Sequence, residues 1–199
     1  NAAIDGVRAV LARQQAASRI EGPPSAEVRI ERIDRVINLL VEHQQPLCAA
    51  LAEDFTWRSH DQSLMADVLL PIRGLKYARE HVRRWMRPER RKAELGGGWL
   101  GAKAEIHYQP LGTIGIISPW NFPIAIALGP LAEALAAGNR AIILFSDQSP
   151  ATAALLIELL AEQFDDSEVA AFIGGAELGT AFSAMPLDHL VFTGSPRVG

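Results

Sequence analysis

From Leu111 onward, short β-rich segments alternate with longer segments of helical apolar spacing, and this alternation limits the possible folds more than any other feature of the sequence. The order β-α-β-α-β-α-β indicates an open parallel sheet with right-handed crossovers. We therefore predict an α/β fold with a Rossmann-like sheet of four strands in the order 3-2-1-4. The predicted strands are Thr113 to Ser118, Arg140 to Phe145, Val169 to Ile173 and His189 to Thr193, and the predicted helices are Ile124 to Ala137, Pro150 to Phe164 and Glu177 to Ala184.

The first hundred residues instead show mostly helical spacing. Apolar residues recur at intervals of three and four between Ile30 and Val41, and Ser25 is a candidate N-cap for this helix. We predict a further helix from Pro46 to Asp54 and two more between Gln62 and Met86. The weakly alternating segment from Ala102 to Gln109 predicts a strand outside the main sheet, as in one arm of a hairpin.

Composition excludes several classes of protein. The net charge of −4 argues against a nucleic-acid partner, and the arginine-rich segment from Arg79 to Lys92 is interrupted by acids, which favours a solvated or subunit-facing helix. No run of 18 apolar residues exists, so neither a transmembrane helix nor a signal peptide is expected. The single cysteine, Cys48, excludes an internal disulfide and fits a reducing compartment, so we expect a cytoplasmic protein. The five histidines lack metal-ligand spacing, and we expect no metal site.

Two polar motifs follow the first and fourth predicted strands. Asn121 lies between Trp120 and Phe122, flanked by two prolines, and this setting predicts a rigid hydrogen-bond donor at the carboxyl end of a strand. Gly194 and Ser195 leave the fourth strand. Because the order 3-2-1-4 places these two strand ends at the switch point of the sheet, both motifs should converge on one crevice. For Asn121 alone, a turn residue that caps the following helix remains the alternative.

The segment from Gly194 to Gly199 resembles a helix start. Ser195 can cap the helix, Pro196 suits a position that needs no N–H, and the free amides would favour a phosphate. An ordinary capped helix remains the alternative. The usual G-x-G-x-x-G fingerprint is absent after the first strand, so a dinucleotide would have to bind in a variant way.

Several separated motifs resemble the NAD(P)-dependent aldehyde dehydrogenases. They are PLGTIGIISPWNFP, LAEALAAGNR, GGAELGTAF and DHLVFTGSPRVG, in order and with the expected separations. The segments RRWMRPERR and EIHYQPLG are most similar to the coniferyl aldehyde dehydrogenase branch. The resemblance runs from about Ser25 to the last residue. The change of apolar spacing near Gly96 to Gly98 divides the chain into a helical N-terminal region at 1–100 and a second region at 101–199, and the resemblance implies that the second region is a strand arm followed by the first part of an NAD-binding domain.

The resemblance also implies site residues. Asn121 matches the asparagine whose amide stabilises the oxyanion formed when the catalytic cysteine attacks the aldehyde. Trp120 and Ser195 match positions that contact the cofactor pyrophosphate, Gly194 lets the backbone approach it, and Ser118 belongs to the same cofactor-binding set. Gly175 and Glu177 match a segment near the adenine pocket, although for these two residues we prefer the interpretation of a tight turn and a first-turn acid.

At the adenosine ribose this chain departs from the family pattern. Family members carry Lys-Pro-Ser-Glu, whereas this chain reads Leu144-Phe145-Ser146-Asp147. Leucine has no donor and aspartate is one methylene shorter, so Asp147 would bind the ribose less well than glutamate. Losing one charged hydrogen bond predicts about ten- to a hundredfold weaker binding. We expect NAD as the cofactor, and NADP less so, because a lysine is the natural partner of a 2′-phosphate.

A second departure concerns catalysis. The family's nucleophilic cysteine and general-base glutamate lie downstream of the motif at Gly194, beyond residue 199, and Cys48 lies in the helical region. We therefore expect residues 1–199 to be the amino-terminal portion of a dimeric enzyme that oxidises an aldehyde, and we expect this portion to be inactive alone. The alternative is a non-catalytic nucleotide-binding or oligomerisation module derived from that family.

Overall fold

The structure, a computed structural model, describes residues 1–92, 102–197 and 199, and it begins with a series of helices. They are α1 (Ala2–Glu21), α2 (Ala26–Glu42), α3 (Gln44–Asp54), α4 (His60–Ser63) and α5 (Leu70–Trp85), with a π-helical turn (Leu64–Leu69) between the last two. The helical character predicted for this region is confirmed. The two helices predicted between Gln62 and Met86 are one nearly continuous segment that the π-helical turn interrupts.

Local sequence explains how α2 begins. The Ser25 side chain accepts a hydrogen bond from Val28 N, as predicted for an N-cap, and the following apolar face is buried. α1 was not predicted as an element, and only five of its 20 residues have apolar side chains larger than that of alanine. Its buried residues Val7, Val10 and Leu11 become a packing face only where the sheet lies beneath them.

A hairpin follows the helices. Strands β1 (Glu89–Arg91) and β2 (Ala104–Ile106) pair antiparallel, with Glu89 opposite Ile106. The strand predicted between Ala102 and Gln109 is therefore shorter than expected, but it lies outside the main sheet in a hairpin, as predicted. The change of region near Gly96 to Gly98 falls outside the described residues.

The main sheet is parallel and has the predicted order. Strands β3 (Thr113–Ile117), β4 (Arg140–Ser146), β5 (Val169–Gly174) and β6 (His189–Phe192) lie in the order β5-β4-β3-β6, which is 3-2-1-4 in chain order. Helices α6 (Ala125–Ala136), α7 (Pro150–Gln163) and α8 (Ala176–Ser183) connect them. The chain adds β4 and β5 on one side of β3 and then crosses back to add β6 on the other side, so α6 and α7 pack on one face of the sheet and α8 on the opposite face.

Side chains of β4 alternate between two hydrophobic clusters. Ala141, Ile143 and Phe145 join the larger cluster, which also contains the buried residues of α2, α3, α5, α6 and α7. Ile142 and Leu144 point to the opposite face and pack with residues of α1 and α8. A strand buried on both faces explains the continuous apolar run in the sequence.

Among the described residues, no helix combines the length and the apolar character needed to cross a membrane.

Candidate functional site

A cleft of about 580 Å³ opens where the main-sheet strands end. The carboxyl ends of parallel strands meet at one edge of a sheet, and here the loops after β3, β4, β5 and β6 surround the cleft. The structure brings six of the predicted site residues into its lining: Ser118, Trp120, Asp147, Gly175, Gly194 and Ser195. A larger cavity of about 780 Å³ between α5 and the hairpin contains none of them among the described residues.

Asn121 follows Trp120 directly but is not among the described residues that line the cleft. It is exposed, and its backbone carbonyl accepts a hydrogen bond from Arg58 Nη2 at 2.5 Å. Its amide makes no hydrogen bond that would cap α6 within the described residues, since that helix has no side-chain cap. Asp67 Oδ1 instead accepts from Ala125 N, at 3.1 Å. The capping alternative for Asn121 therefore loses its structural basis.

A buried ion pair lies beneath the loop that carries Asn121. Arg58 Nη1 and Asp67 Oδ2 are 2.7 Å apart, and the two side chains are 2% and 0% exposed. Burial raises the pKa of the Asp67 carboxyl, while the hydrogen bond from Ala125 N and the charge of Arg58 act in the opposite direction. The pair joins the helical region to the first crossover of the sheet.

Asp147 and Gly175 meet on the opposite wall of the cleft. A Cβ at residue 175 would lie 2.3 Å from Asp147 Oδ2, so only glycine allows this approach. Helix α8 begins here without a side-chain cap, and Ala176 also lines the cleft. The first amides of α8 are thus near the cleft.

The other crossover helix at this edge already has an anion at its start. Asp54, the last residue of α3, accepts hydrogen bonds from Ala151 N at 3.0 Å and Thr152 N at 2.8 Å. The positive end of α7 is therefore neutralised from within the chain. The start of α8 has Glu177 in its first turn, but no side chain among the described residues accepts a hydrogen bond from its first amides.

The segment after β6 makes the first bond of a helical turn. Gly199 N donates to the Ser195 carbonyl at 3.2 Å, which is the i to i+4 spacing of a helix. A Cβ at Gly194 would lie 2.3 Å from the Phe192 ring, so a side chain at this position would displace that ring. The geometry agrees with a helix start at Ser195, although no helix is assigned there within the described residues.

Leu144 and Cys48 are both buried, with different consequences. Leu144 is 3% exposed, lines the cleft and packs against the α1 and α8 side of the sheet. Cys48 is 3% exposed in the larger cluster, and burial raises the pKa of its thiol. A buried thiol with a raised pKa is a poor nucleophile. This position gives Cys48 a packing role in the helical layer.

Sequence reasoning missed the charged residues that hold these loops. Arg58, Asp67 and Asp54 hold loops at the cleft edge, as described above, whereas Asp188 Oδ2 accepts from Thr113 N at the amino end of β3, away from the cleft. The available signal was a charged residue among apolar neighbours, such as Asp67 in LMADVLL. The backbone groups that these residues bind are distant in sequence, so the sequence could indicate that a charge is buried but not which group it binds. Within the described residues, no group of three or more side chains could hold a metal ion.

Comparison with known proteins gives consistent results. The model of the aldehyde dehydrogenase family matches residues 4–199, so the match includes α1. The chain is 49% identical over 190 residues to the probable coniferyl aldehyde dehydrogenase of Caulobacter vibrioides, covering 95% of this chain and 39% of that protein. It is 46% identical over 188 residues to the coniferyl aldehyde dehydrogenase of a Pseudomonas species, covering 94% of this chain and 38% of that protein.

Solved structures show the same fold. The substrate-bound state of Staphylococcus aureus AldH superposes with a TM-score of 0.90 at 25% identity, covering 96% of this chain and 41% of that one. The chain thus spans about two fifths of the length of the curated relatives it matches.

Proposed function

Because this chain belongs to the aldehyde dehydrogenase family, we propose that it forms the amino-terminal, cofactor-binding part of an enzyme that oxidises an aldehyde to the carboxylic acid with NAD. One observation carries the proposal: the loops after β3, β4, β5 and β6 supply Trp120, Asp147, Gly175 and Ser195 to a single cleft. Convergence of polar and glycine-rich loops at the switch point is the usual arrangement of nucleotide sites in such sheets.

The residues in the cleft fit a dinucleotide. Its volume of about 580 Å³ lies in the range of about 300–1,000 Å³ that is typical of small-molecule sites. A Cβ at Gly175 or at Gly194 would collide with a neighbouring side chain, so glycine keeps the backbone accessible at both positions. Leu144 and Phe192 also line the cleft, and we propose that they contact the adenosine half.

Each cleft residue has a proposed task. Ser195 and the backbone at Gly194 would hold the pyrophosphate through N–H and hydroxyl donors, together with Trp120 and Ser118. Asp147 would accept from the ribose hydroxyls, beside Gly175. NAD, when bound, supplies the hydride acceptor. Leu144 offers no donor for a 2′-phosphate, so we propose NAD rather than NADP.

Asn121 is proposed as the donor to the oxyanion. Its amide makes no hydrogen bond among the described residues, and its backbone is held by Arg58. A donor that is fixed before the reaction stabilises developing charge, and removal of one such donor costs about 3 kcal/mol of barrier. We expect Asn121→Ala to lower kcat roughly a hundredfold.

Residues 1–199 alone should bind the cofactor without oxidising aldehyde. Their single thiol, Cys48, is buried in the helical layer, so we propose that the nucleophile is a cysteine outside residues 1–199. We further propose a cytoplasmic dimer, a hydroxycinnamaldehyde such as coniferyl aldehyde as substrate, and a division of the chain at residues 100 and 101. The names of the relatives support the substrate proposal.

The test uses the full-length enzyme. NADH formation from coniferyl aldehyde should be rapid, and Asn121→Ala should lose roughly a hundredfold in kcat while NADH still binds, as measured by fluorescence titration. Unchanged kcat in Asn121→Ala would overturn the role of this residue. Absence of both NADH binding and aldehyde oxidation would instead favour a non-catalytic module, for which Leu144 and Asp147 are the supporting departures from the family pattern.

A further inference from the structure

Arg58 and Asp67 form a deeply buried ion pair, which is expected to add little to the stability of the fold. Both side chains are nearly inaccessible, at 2% and 0% exposure, and their atoms are 2.7 Å apart. Removing two charges from water costs about as much as their attraction returns, and well-packed apolar residues would often do as well. A role in positioning neighbouring groups accounts for such a pair better than stability does.

Arg58 and Asp67 each make a second hydrogen bond, and both of these bonds are to the segment that follows β3. Arg58 Nη2 donates to the Asn121 carbonyl at 2.5 Å, and Asp67 Oδ1 accepts from Ala125 N at 3.1 Å. The pair therefore holds the segment between Asn121 and Ala125 at both of its ends. Because the guanidinium is planar, binding Asp67 fixes the direction of the donor that reaches Asn121.

Aromatic rings enclose Arg58. The guanidinium carbon lies 4.0 Å from the centroid of the Phe55 ring and 5.1 Å from that of Phe122. The Phe55 ring is in turn 6.1 Å from the ring of Trp120. Arg58 thus packs directly against Phe122, is connected to Trp120 only through Phe55, and has little freedom to turn.

Asp67 lies in the π-helical turn of residues Leu64–Leu69. A π-helical turn is rare, often marks functional sites, and changes the direction of the side chains that follow it. An uninterrupted α-helix from α4 to α5 would be the more common structure for this segment. The irregular turn places a carboxylate where it reaches both Arg58 and the start of α6.

We propose that Arg58 and Asp67 are positioning residues that hold the backbone of Asn121, so that its amide is aimed at the reacting oxygen. This inference rests on the proposed role of Asn121 and adds to it the groups that keep the donor in place. A displacement of about 1 Å can cost a hundredfold in rate, so loss of the clamp should lower kcat much more than it changes cofactor binding.

Arg58→Lys in the full-length enzyme is the principal test. Lysine keeps the charge opposite Asp67 but lacks the rigid fork that also reaches Asn121. We expect kcat to fall about ten- to a hundredfold while KM for NAD changes less than about threefold. The matched control is Arg32→Lys, because Arg32 also forms a buried pair, with Glu168 at 2.8 Å, at a place where it does not contact this loop. Its kcat should match the wild type.

A double-mutant cycle separates positioning from general loss of structure. If Arg58 acts through Asn121, adding Arg58→Lys to Asn121→Ala should lower kcat less than about threefold further. Equal losses in the two backgrounds, or wild-type kcat in Arg58→Lys, would overturn the inference. Wild-type kcat in Asn121→Ala alone would instead overturn the proposed role of Asn121, on which the inference rests.

If Arg58→Lys fails to fold, the double variant Arg58→Met with Asp67→Leu replaces the pair by apolar side chains and leaves no unpaired charge. The same loss of kcat, with retained NADH binding, is expected from it. Wild-type kcat in this folded variant would overturn the inference.

Discussion

The carboxylate of Asp147 lies directly against the backbone of Gly175, and a Cβ at residue 175 would be 2.3 Å from its Oδ2. This contact joins the loop after β4 to the loop after β5 across one wall of the cleft. The position of the proposed ribose-binding carboxylate therefore depends on the absence of a side chain at a residue on a different strand.

Replacement of Gly175 by alanine should displace Asp147. The carboxylate ends an exposed, flexible side chain, so it can turn away and the fold should survive. We expect about tenfold weaker NADH binding, measured by fluorescence titration, because about one hydrogen bond to a charged group is lost. Gly74→Ala is the matched control, since a Cβ there meets nothing within 4 Å. Equal NADH affinity in both variants would contradict the proposed contact with the ribose.

Leu144→Lys should change the choice of cofactor. The side chain lines the cleft, and a lysine there would offer a cation to a 2′-phosphate. The variant should bind NADPH at least about tenfold more tightly relative to NADH than the wild type does. Leu144 is 3% exposed, and partial burial of an ammonium group should lower stability by about 1–3 kcal/mol. Leu144→Met tests the effect of shape alone, and an unchanged preference in Leu144→Lys would contradict the prediction.

Glu168 should make stability fall at acid pH. Burial acts to raise its pKa, but hydrogen bonds and charges from Arg35 and Arg32 outweigh burial and lower the pKa below its ordinary 4.5. A carboxyl group with a lowered folded-state pKa stabilises the protein above its unfolded pKa, and this contribution is lost as pH falls through the folded pKa.

Glu168→Gln should therefore lower the free energy of unfolding by about 1–2 kcal/mol near neutral pH, and by progressively less toward acid pH. Urea unfolding at several pH values measures this. Asp61→Asn makes the same change in charge at a carboxylate whose side chain is 98% exposed, and it should leave the pH dependence unchanged. Parallel curves for wild type and Glu168→Gln would refute the assignment.

Residues 1–199 should associate in solution. Strand β6 has one neighbour, β3, among the described strands, so its other edge carries unpaired backbone groups. Light scattering should show a mass that rises with protein concentration. The exposed residue His189 lies in this edge strand, and His189→Lys should reduce association, because a lysine on an edge opposes pairing. A monodisperse monomer at all concentrations would contradict the prediction.

Much of the fold could be predicted because it is encoded locally. The period of the apolar residues defines β3 through β6 and the crossover helices, and the handedness of crossovers leaves few strand orders. Ser25 could be predicted as an N-cap because its partner, Val28, is three residues away. The convergence of Trp120 and Ser195 on one cleft followed from that strand order.

The sequence by itself determined the parallel sheet, its order and the edge at which the loops meet, because these depend on short-range periodicity and chain handedness. Only the tertiary structure decided the packing of α1 on the sheet, the contact of Asp147 with Gly175 and the clamp of Arg58 and Asp67 on the Asn121 loop. The reason is physical: a buried charge or an amphipathic helix acquires its role from the groups that fold around it, and those groups are distant in the chain.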